Sequence, residues 1–344
     1  MSNKPKIIVI WGPTASGKSD LAVQIAKKYN GEIISADSRQ VYKKLDIGTG
    51  KIIEKEMGRV KHHLLDIISP QKRFTASNFV KSSNLMIVQI VDRGKVPIVC
   101  GGTGFYIDAL LGDKQIPEVP PDLKLREKLE KKSASELFEI LKKLDPERAE
   151  NIDSKNPRRL IRAIEICKAL GPNSASRFAQ ATLGKKVSSK YKVLKIGIAP
   201  ITPSPIPSSY NKRKGQEKKE NTLSSNPLPL GGGLGVGFLD EQKLKERINK
   251  RIAKWFKQGL LKEVQNLHQK GLSWKRMGEI GLEYKIVSQY LQNKISKSEM
   301  IKRMQTETWQ YAKRQMTWFK RDKNTIWLEP KIGLIEKEVR KFIR

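Results

Sequence analysis

A short apolar run, Lys6–Trp11 (KIIVIW), stops at Gly12-Pro13, and beyond it Leu21, Ala22, Ile25 and Ala26 fall on one helical stripe. Between the two stands Gly12-Pro13-Thr14-Ala15-Ser16-Gly17-Lys18-Ser19, which fits G-x-x-x-x-G-K-[ST]. In such a loop the glycines let backbone N–H groups turn inward around phosphate oxygens. The helix N-terminus adds positive potential, Lys18 reaches a terminal phosphate, and Ser19 can hold a magnesium ion. A strand that feeds a helix in this way needs parallel neighbours. Residues 32–35 (EIIS) and 96–100 (VPIVC) read as buried strands of that type, and residues 191–199 (YKVLKIGIA) return to strand character. The expected class is α/β, a doubly wound parallel sheet with ligands at the carboxyl ends of its strands.

From residue 117 to 170 the strand signal disappears. Leu125 and Leu129, then Leu137, Leu141 and Leu144, then Leu160, Ile164 and Cys167 recur at helical spacing. The expected organisation is a core whose first part is 1–115, a helical insertion at 116–190, and core completion with C-terminal helices over 191–344. Residues 201–239 combine PITPSPIPSS-like proline and serine density, the charged run KRKGQEKKE and a glycine run. They read as a long mobile loop, too poor in buriable apolar surface to offset chain entropy. The glycine run lacks the preceding strand that a dinucleotide fingerprint requires.

Lys plus Arg number 68 against 35 Asp plus Glu, a net charge of +33, which points to a polyanionic partner. Two cysteines exclude a disulfide framework and argue against a Cys-based zinc site. No run of about 18 apolar residues is present, and the first residues enter a strand without the pattern of a signal peptide. A cytoplasmic, nucleic-acid-handling protein is expected. Basic stripes fit that partner. Arg158 and Arg162 lie opposite the buried face of their helix, and residues 297–320 set Lys302, Trp309, Lys313 and Lys320 opposite Met300, Met304, Tyr311 and Trp318.

An ATP-hydrolysing site needs a carboxylate at the end of a second strand. Here residues 96–100 run into Gly101-Gly102-Thr103-Gly104, which offers a hydroxyl and backbone donors instead. That favours a transferase acting on a phosphate ester or pyrophosphate. The nearest acid is Asp37, on the same rim as Lys18 and Thr103. It reads equally as a general base and as a cap for the segment after it. Ser38 and Gln40 beside it could read a flat heterocycle. Farther on, Leu244, Ile248, Arg251 and Trp255 share one helix face. An arginine in an apolar stripe needs an anion, and a structural carboxylate or a ligand phosphate would serve equally. His62 and His63 have no metal-ligand company and read as packing or capping residues.

Together with GPTASGKS, six further strings carry a resemblance. They are ISADSRQVYKKLDIGTGK (34–51), HHLLDI (62–67), VPIVCGGTGFYIDALL (96–111), NPRRLIRAIEI (156–166), GLEYK (281–285) and YAKRQMTWFKR (311–321). The chain resembles the tRNA dimethylallyltransferase (isopentenyltransferase) family over nearly its whole length, residues 201–239 excepted. The resemblance implies a P-loop NTPase-like sheet whose ATP-type, nucleotide-binding loop holds dimethylallyl diphosphate through Gly12, Pro13, Thr14, Ala15, Ser16, Gly17, Lys18 and Ser19. It implies transfer of the dimethylallyl group to N6 of adenosine-37, next to the tRNA anticodon, with release of diphosphate.

Carried over residue by residue, the resemblance makes Asp37 the general base and Thr103 the hydroxyl that helps hold and activate the diphosphate. It makes Arg251, in an R-I-x-x-R pattern, the diphosphate clamp, and Ser19 the ligand of Mg²⁺. Asp37, Ser38, Arg39, Gln40, Thr103, Arg126, Arg158, Arg159, Leu160, Ile161 and Arg162 correspond to family segments that contact the anticodon stem-loop. A monomer is expected. Gly50 stands where the family more often has alanine, and residues 201–239 exceed the usual link. Because 244–255 stays regular after it, the extra length is expected to loop out. A P-loop kinase or ATPase associated with RNA, and a non-catalytic RNA-binding protein, are the competing readings.

Overall fold

The structure, a computed structural model, describes residues 4–114, 116–182, 190–203 and 237–344. Strands β1 (Lys6–Trp11), β2 (Gly31–Ser35), β3 (His62–His63), β4 (Val96–Gly101), β5 (Lys192–Ile198) and β8 (Ile326–Leu328) form one sheet in the order β3-β2-β4-β1-β5-β8. Every pairing in it is parallel. Ile7, Ile8, Val9 and Ile10 of the central strand are fully buried, so β1 reads as a continuous apolar run where a half-exposed strand would alternate. The register pairs Trp11 with Gly101 and Ser35 with Cys100, so β1, β2 and β4 end on a common rim.

The helix Lys18–Lys28 begins at that rim. Gly17, at φ 89°, is its N-cap, a left-handed conformation that a side chain would strain, and no side chain caps the helix start. Its apolar face (Leu21, Ala22, Ile25, Ala26) is buried as expected.

Two strands of this sheet escaped the sequence reading because they are too short to show a period. β8 contributes three residues, and β3 contributes His62 and His63 at the sheet edge. The histidines do pack and cap. His63 Nε2 lies 2.7 Å from Glu32 Oε2, and His62 Nδ1 lies 2.9 Å from the Val60 carbonyl. Buried Glu32 also accepts from Arg93 (2.7 Å) and Lys95 (2.9 Å), which ties β2 to the chain on both sides of it. Burial alone would raise this carboxyl. Lys95, His63 and Arg93 outweigh it and hold Glu32 down at about 2.

The chain divides into two compact units, Met1–Leu110 with Lys190–Arg344, and Leu111–Ser189. In the second, helices Leu123–Leu129, Ala134–Leu144, Pro146–Glu150, Pro157–Leu170 and Ser174–Thr182 surround a core of Leu129, Leu137, Leu141, Leu160, Ile161, Ile164 and Cys167. Local chemistry sets their starts. Ser133 and Glu136 form a capping box, while Asp122 and Asn156 cap the helices that follow them. Leu160 and Ile161, expected in the tRNA-contacting segment, turn their side chains into this core, so the segment offers RNA its exposed arginines and not these two side chains.

The region read as a loop over 201–239 is shorter than that. β6 (Ile201–Pro203) and β7 (Gly237–Leu239) pair antiparallel, Ile201 opposite Leu239, and the Asp240 N–H donates to the Pro200 carbonyl. The loop and the glycine run otherwise fall at 204–236, outside the described residues. Asp240 then caps the helix Glu241–Gln258, which is regular throughout. The helices Leu260–Gln269, Trp274–Ile280, Leu282–Leu291 and Lys297–Phe319 complete a second core around Leu244, Ile248, Tyr284, Met300 and Met304. The helix Ile332–Ile343 closes the chain against the sheet core through Ile335 and Val339. Among the described residues no helix is long and apolar enough to cross a membrane.

Since β6 and β7 already meet, replacing residues 204–236 by a two-residue Asn-Gly turn is expected to move the melting temperature by no more than about 3 °C. Glu32→Gln, by contrast, leaves two cations beside a neutral amide and is expected to cost about 2 kcal/mol in a denaturant titration at pH 7. The Glu32 carboxyl is depressed in the fold, so its contribution is complete above about pH 4.5 and fades as pH falls toward about 2. The variant should lack that part of the acid limb.

Candidate active site

One cavity opens on the rim, and Thr14, Lys18, Ser19, Asp37, Gly102, Arg251 and Gln315 are among the residues that line it. The phosphate-type loop is closed on itself. The Ser16 N–H donates to the Pro13 carbonyl at 3.3 Å, and Lys18 Nζ donates to the same oxygen at 3.1 Å. Burial, aided by the neighbouring Arg251 charge, lowers Lys18 from its ordinary value against the pull of Cys100 and Asp37.

Arg251 reaches the same cavity from the helix Glu241–Gln258. Its guanidinium donates to Thr14 Oγ1 (3.2 Å) and to the Gly50 carbonyl (3.3 Å), and it lies over the Trp255 ring at 5.0 Å. Burial lowers it as well, with Glu283 and Asp37 acting from a distance in the other direction. Among the described residues no carboxylate comes within ion-pair distance of Arg251 or Lys18. Of the two anions that could serve Arg251, the structural carboxylate is therefore absent from its surroundings. Gly50 matters to this placement: a Cβ built there would overlap the guanidinium.

Asp37 proves to be both a cap and a free carboxylate. Its Oδ1 accepts the N–H groups of Arg39 (2.9 Å) and Gln40 (3.3 Å), and among the described residues no donor reaches Oδ2. Thr103 follows directly on the cavity-lining Gly101-Gly102. Its Oγ1 accepts the Ser38 N–H at 3.1 Å and its own N–H donates to the Ala36 carbonyl, so the residue pins the Asp37 loop. Gln40 is likewise engaged, between Ser35 Oγ and the carbonyls of Thr49 and Gly50. Arg39 pairs with Glu283 at 3.2 Å and lies 5.3 Å from the Tyr311 ring. Burial would lower Arg39, but Glu283 and Tyr311 leave it above its ordinary value.

Three cavity residues had no assigned role in the sequence reading: Glu283, Tyr311 and Gln315. Each is a polar group inside an apolar helix stripe, the same signal that singled out Arg251. Glu283 is 6% exposed and Gln315 7%. Burial above all raises Tyr311, so its phenol stays protonated.

The basic stripes divide into two kinds. Arg158 and Arg159 are exposed. Arg126 and Arg162 are not free, since both guanidiniums bond buried Glu165, Arg126 bidentately at 2.8 and 2.7 Å. Arg162 also donates to the Val119 carbonyl at 2.9 Å. Burial would raise Glu165, and the two arginines overcome it and hold it below the usual carboxylate range. On the helix Lys297–Phe319, the half-buried Trp309 ring has the ammonium groups of Lys245 at 4.9 Å and Lys313 at 5.8 Å from its centroid. Lys302 and Lys313 are exposed, while Trp318 is half-buried with its indole N–H on Asp108.

No group of three His, Cys, Asp or Glu able to hold a metal exists among the described residues. Ser19 supplies one hard oxygen at the cavity. Magnesium keeps several waters and relies on substrate phosphates, so this donor set suits an ion that arrives with a polyphosphate. Chemically, the cavity can hold such an anion on two cations and a helix N-terminus, with one carboxylate oxygen alongside.

Comparison with known proteins follows the same lines. The model of the IPP transferase family matches residues 40–223 and 207–322. The tRNA dimethylallyltransferase of Acetivibrio thermocellus is 36% identical over 94% of this chain and 91% of its own length. That of Carboxydothermus hydrogenoformans is 35% identical over 98% and 96%. The crystal structure of the tRNA isopentenylpyrophosphate transferase of Bacillus halodurans covers 99% of this chain and 96% of its own, at TM-score 0.62 and 30% identity. A eukaryotic dimethylallyltransferase, solved acting on tRNA, covers 95% and 74% at TM-score 0.71 and 25% identity.

Removing the guanidinium that faces the cavity should weaken anion binding directly. Arg251→Ala is expected to lower the affinity for inorganic pyrophosphate by about 10- to 100-fold, the worth of a lost charge-assisted pair, in calorimetric titration.

Proposed function

This chain belongs to the IPP transferase family, and we propose that it moves the dimethylallyl group of dimethylallyl diphosphate onto the exocyclic N6 amine of adenosine-37 in tRNA, releasing diphosphate. One observation carries the reading: Lys18, Arg251 and Asp37 border a single cavity. The enzyme is a prenyltransferase, and its +33 charge suits a tRNA substrate.

The exocyclic amine of adenine is a weak nucleophile, because its lone pair is delocalised into the ring. As N6 bonds to the allylic carbon, the carbon–oxygen bond to diphosphate breaks and the nitrogen becomes acidic. Asp37 Oδ2 takes the proton, while Oδ1 stays on the Arg39 and Gln40 N–H groups and keeps the carboxylate oriented. The electron pair leaves with the diphosphate, whose growing charge meets Lys18, Arg251 and the start of the helix Lys18–Lys28. Magnesium, with the Ser19 hydroxyl and the diphosphate oxygens as ligands, would neutralise part of that charge. Thr103 acts one step back, through Ser38, to hold the Asp37 loop. Adenosine-37 must leave the anticodon-loop stack, which costs less than flipping a base from a duplex.

Arg158 and Arg159, exposed on the helical unit, and Lys302 and Lys313, exposed on the long C-terminal helix, are the basic groups we assign to the RNA backbone. Arg126 and Arg162, tied to Glu165, serve instead to hold the helical unit in shape.

The decisive assay incubates the protein with labelled dimethylallyl diphosphate and a tRNA carrying adenosine-37, with ATP as a parallel substrate. Label in the RNA is expected. Phosphate release from ATP without label would mark a kinase or ATPase, and RNA binding without either product would mark a non-catalytic RNA-binding protein. Asp37→Asn preserves the oxygen that caps the turn and removes the base. It is expected to slow transfer by roughly 100-fold or more while leaving tRNA binding within a few-fold.

A further inference from the structure

Phe105 is 42% exposed, and among the described residues it is the one aromatic side chain turned so far into solvent. It stands at the start of the helix Gly104–Leu111. Its neighbour Tyr106 faces the core, where it stacks on Phe79 with ring centroids 4.6 Å apart and donates to the Phe74 carbonyl. A single exposed apolar side chain is ordinary, but Phe105 has a built setting. Its ring meets that of Trp318 at 87°, with centroids 6.2 Å apart. The Trp318 indole N–H is fixed on Asp108 at 2.8 Å, and the Arg321 guanidinium lies 5.3 Å from the indole ring. A Cβ at Gly104 would overlap the Trp318 ring, so the glycine is what lets Trp318 close on the start of this helix.

Two residues before Phe105, Thr103 Oγ1 accepts the Ser38 N–H and ties the start of the helix to the Asp37 loop. Two residues of chain reach at most about 7 Å, so the open ring stands beside the loop that carries the general base. The exposed charge nearby is cationic. Arg314 precedes Trp318 by one helical turn and Arg321 follows it, both exposed, whereas Asp108 is engaged by the indole and Asp322 by Lys195. An aromatic ring among exposed cations is the composition of a surface for single-stranded RNA.

We propose that Phe105 is a stacking platform for an anticodon-loop base adjacent to adenosine-37. The proposal rests on the tRNA reading given under Proposed function and deepens it by naming a contact that supports the flipped state. When adenosine-37 leaves the loop stack, each neighbouring base loses its partner on one face. A ring already held in place returns such a contact at little ordering cost, and it accepts any base, because every base has a π-face. The platform thus favours binding and flipping without reading the identity of the base.

The test measures binding of the full chain to an anticodon stem-loop carrying adenosine-37, and to versions made abasic at position 36 or at position 38. Phe105→Ala is expected to weaken the intact stem-loop about tenfold and to leave the affinity for inorganic pyrophosphate within about twofold. On one of the two abasic RNAs, wild type and F105A are expected to bind within about twofold of each other, because the base that stacks is missing. Phe105→Trp is expected to hold the intact RNA as tightly as wild type. The proposal is overturned by an F105A that binds the intact stem-loop like wild type, by a deficit that persists on both abasic RNAs or extends equally to pyrophosphate, or by an F105W as weak as F105A. If F105A shows no cooperative melt, Phe105→Leu, which keeps apolar bulk against Trp318 but has no flat face, carries the same expectation. Prenyl transfer is followed alongside. A wild type that binds the stem-loop and transfers nothing refutes the transfer reading alone, and one that does not bind it refutes both.

Discussion

Two half-buried cations, with no carboxylate among the described residues near enough to neutralise them, set the terms for the whole rim of the sheet. Lys18 and Arg251 are both lowered by burial. Each is steadied by neutral acceptors: the Pro13 carbonyl for one, Thr14 and the Gly50 carbonyl for the other. Neutral partners fix the position of a charge without cancelling it. The charge therefore remains effective toward an anion, and no reorganisation is needed when that anion gains further charge.

Keeping those cations unpaired requires that nearby carboxylates be occupied elsewhere, and the fold does this repeatedly. Glu283 is engaged by Arg39. Glu263 accepts three successive backbone N–H groups, from Asp46, Ile47 and Gly48, and the Tyr284 hydroxyl as well. Asp46 and Asp66 share the buried Lys51 ammonium. The 46–51 turn that presents the Gly50 carbonyl to Arg251 is thus fixed from both sides. The same economy operates in the helical unit, where Glu165 absorbs two arginines, so a basic stripe there is less basic toward solvent than its composition suggests.

Much of the fold and part of the site could be read beforehand, and the divide follows the range of the interactions. The loop between β1 and its helix, the four longer strands and the three principal helices of the insertion are written in local periodicity and turn chemistry. Asp37 and Arg251 were visible because each breaks a local pattern. Glu283 and Gln315 break theirs equally, but a buried polar residue in a stripe does not name its partner. Thr103 was placed on the right rim, but its bond to the Ser38 N–H was not legible, because a hydroxyl has no charge to name its partner. Leu160 and Ile161 lie next to exposed arginines in sequence and face the other way around the helix.

The sequence by itself determined where the phosphate-type loop lies, that the central strands are parallel and buried, and that a polyanion is the partner. Periodicity, loop conformation and net charge are properties of neighbouring residues or of simple sums. Only the tertiary structure decided which groups meet at the rim. Thr14 is separated from Arg251 by 237 residues and from Gln315 by 301. Pairings over such separations depend on how sheet and helices pack, since a buried donor takes whichever acceptor the packing brings within about 3 Å.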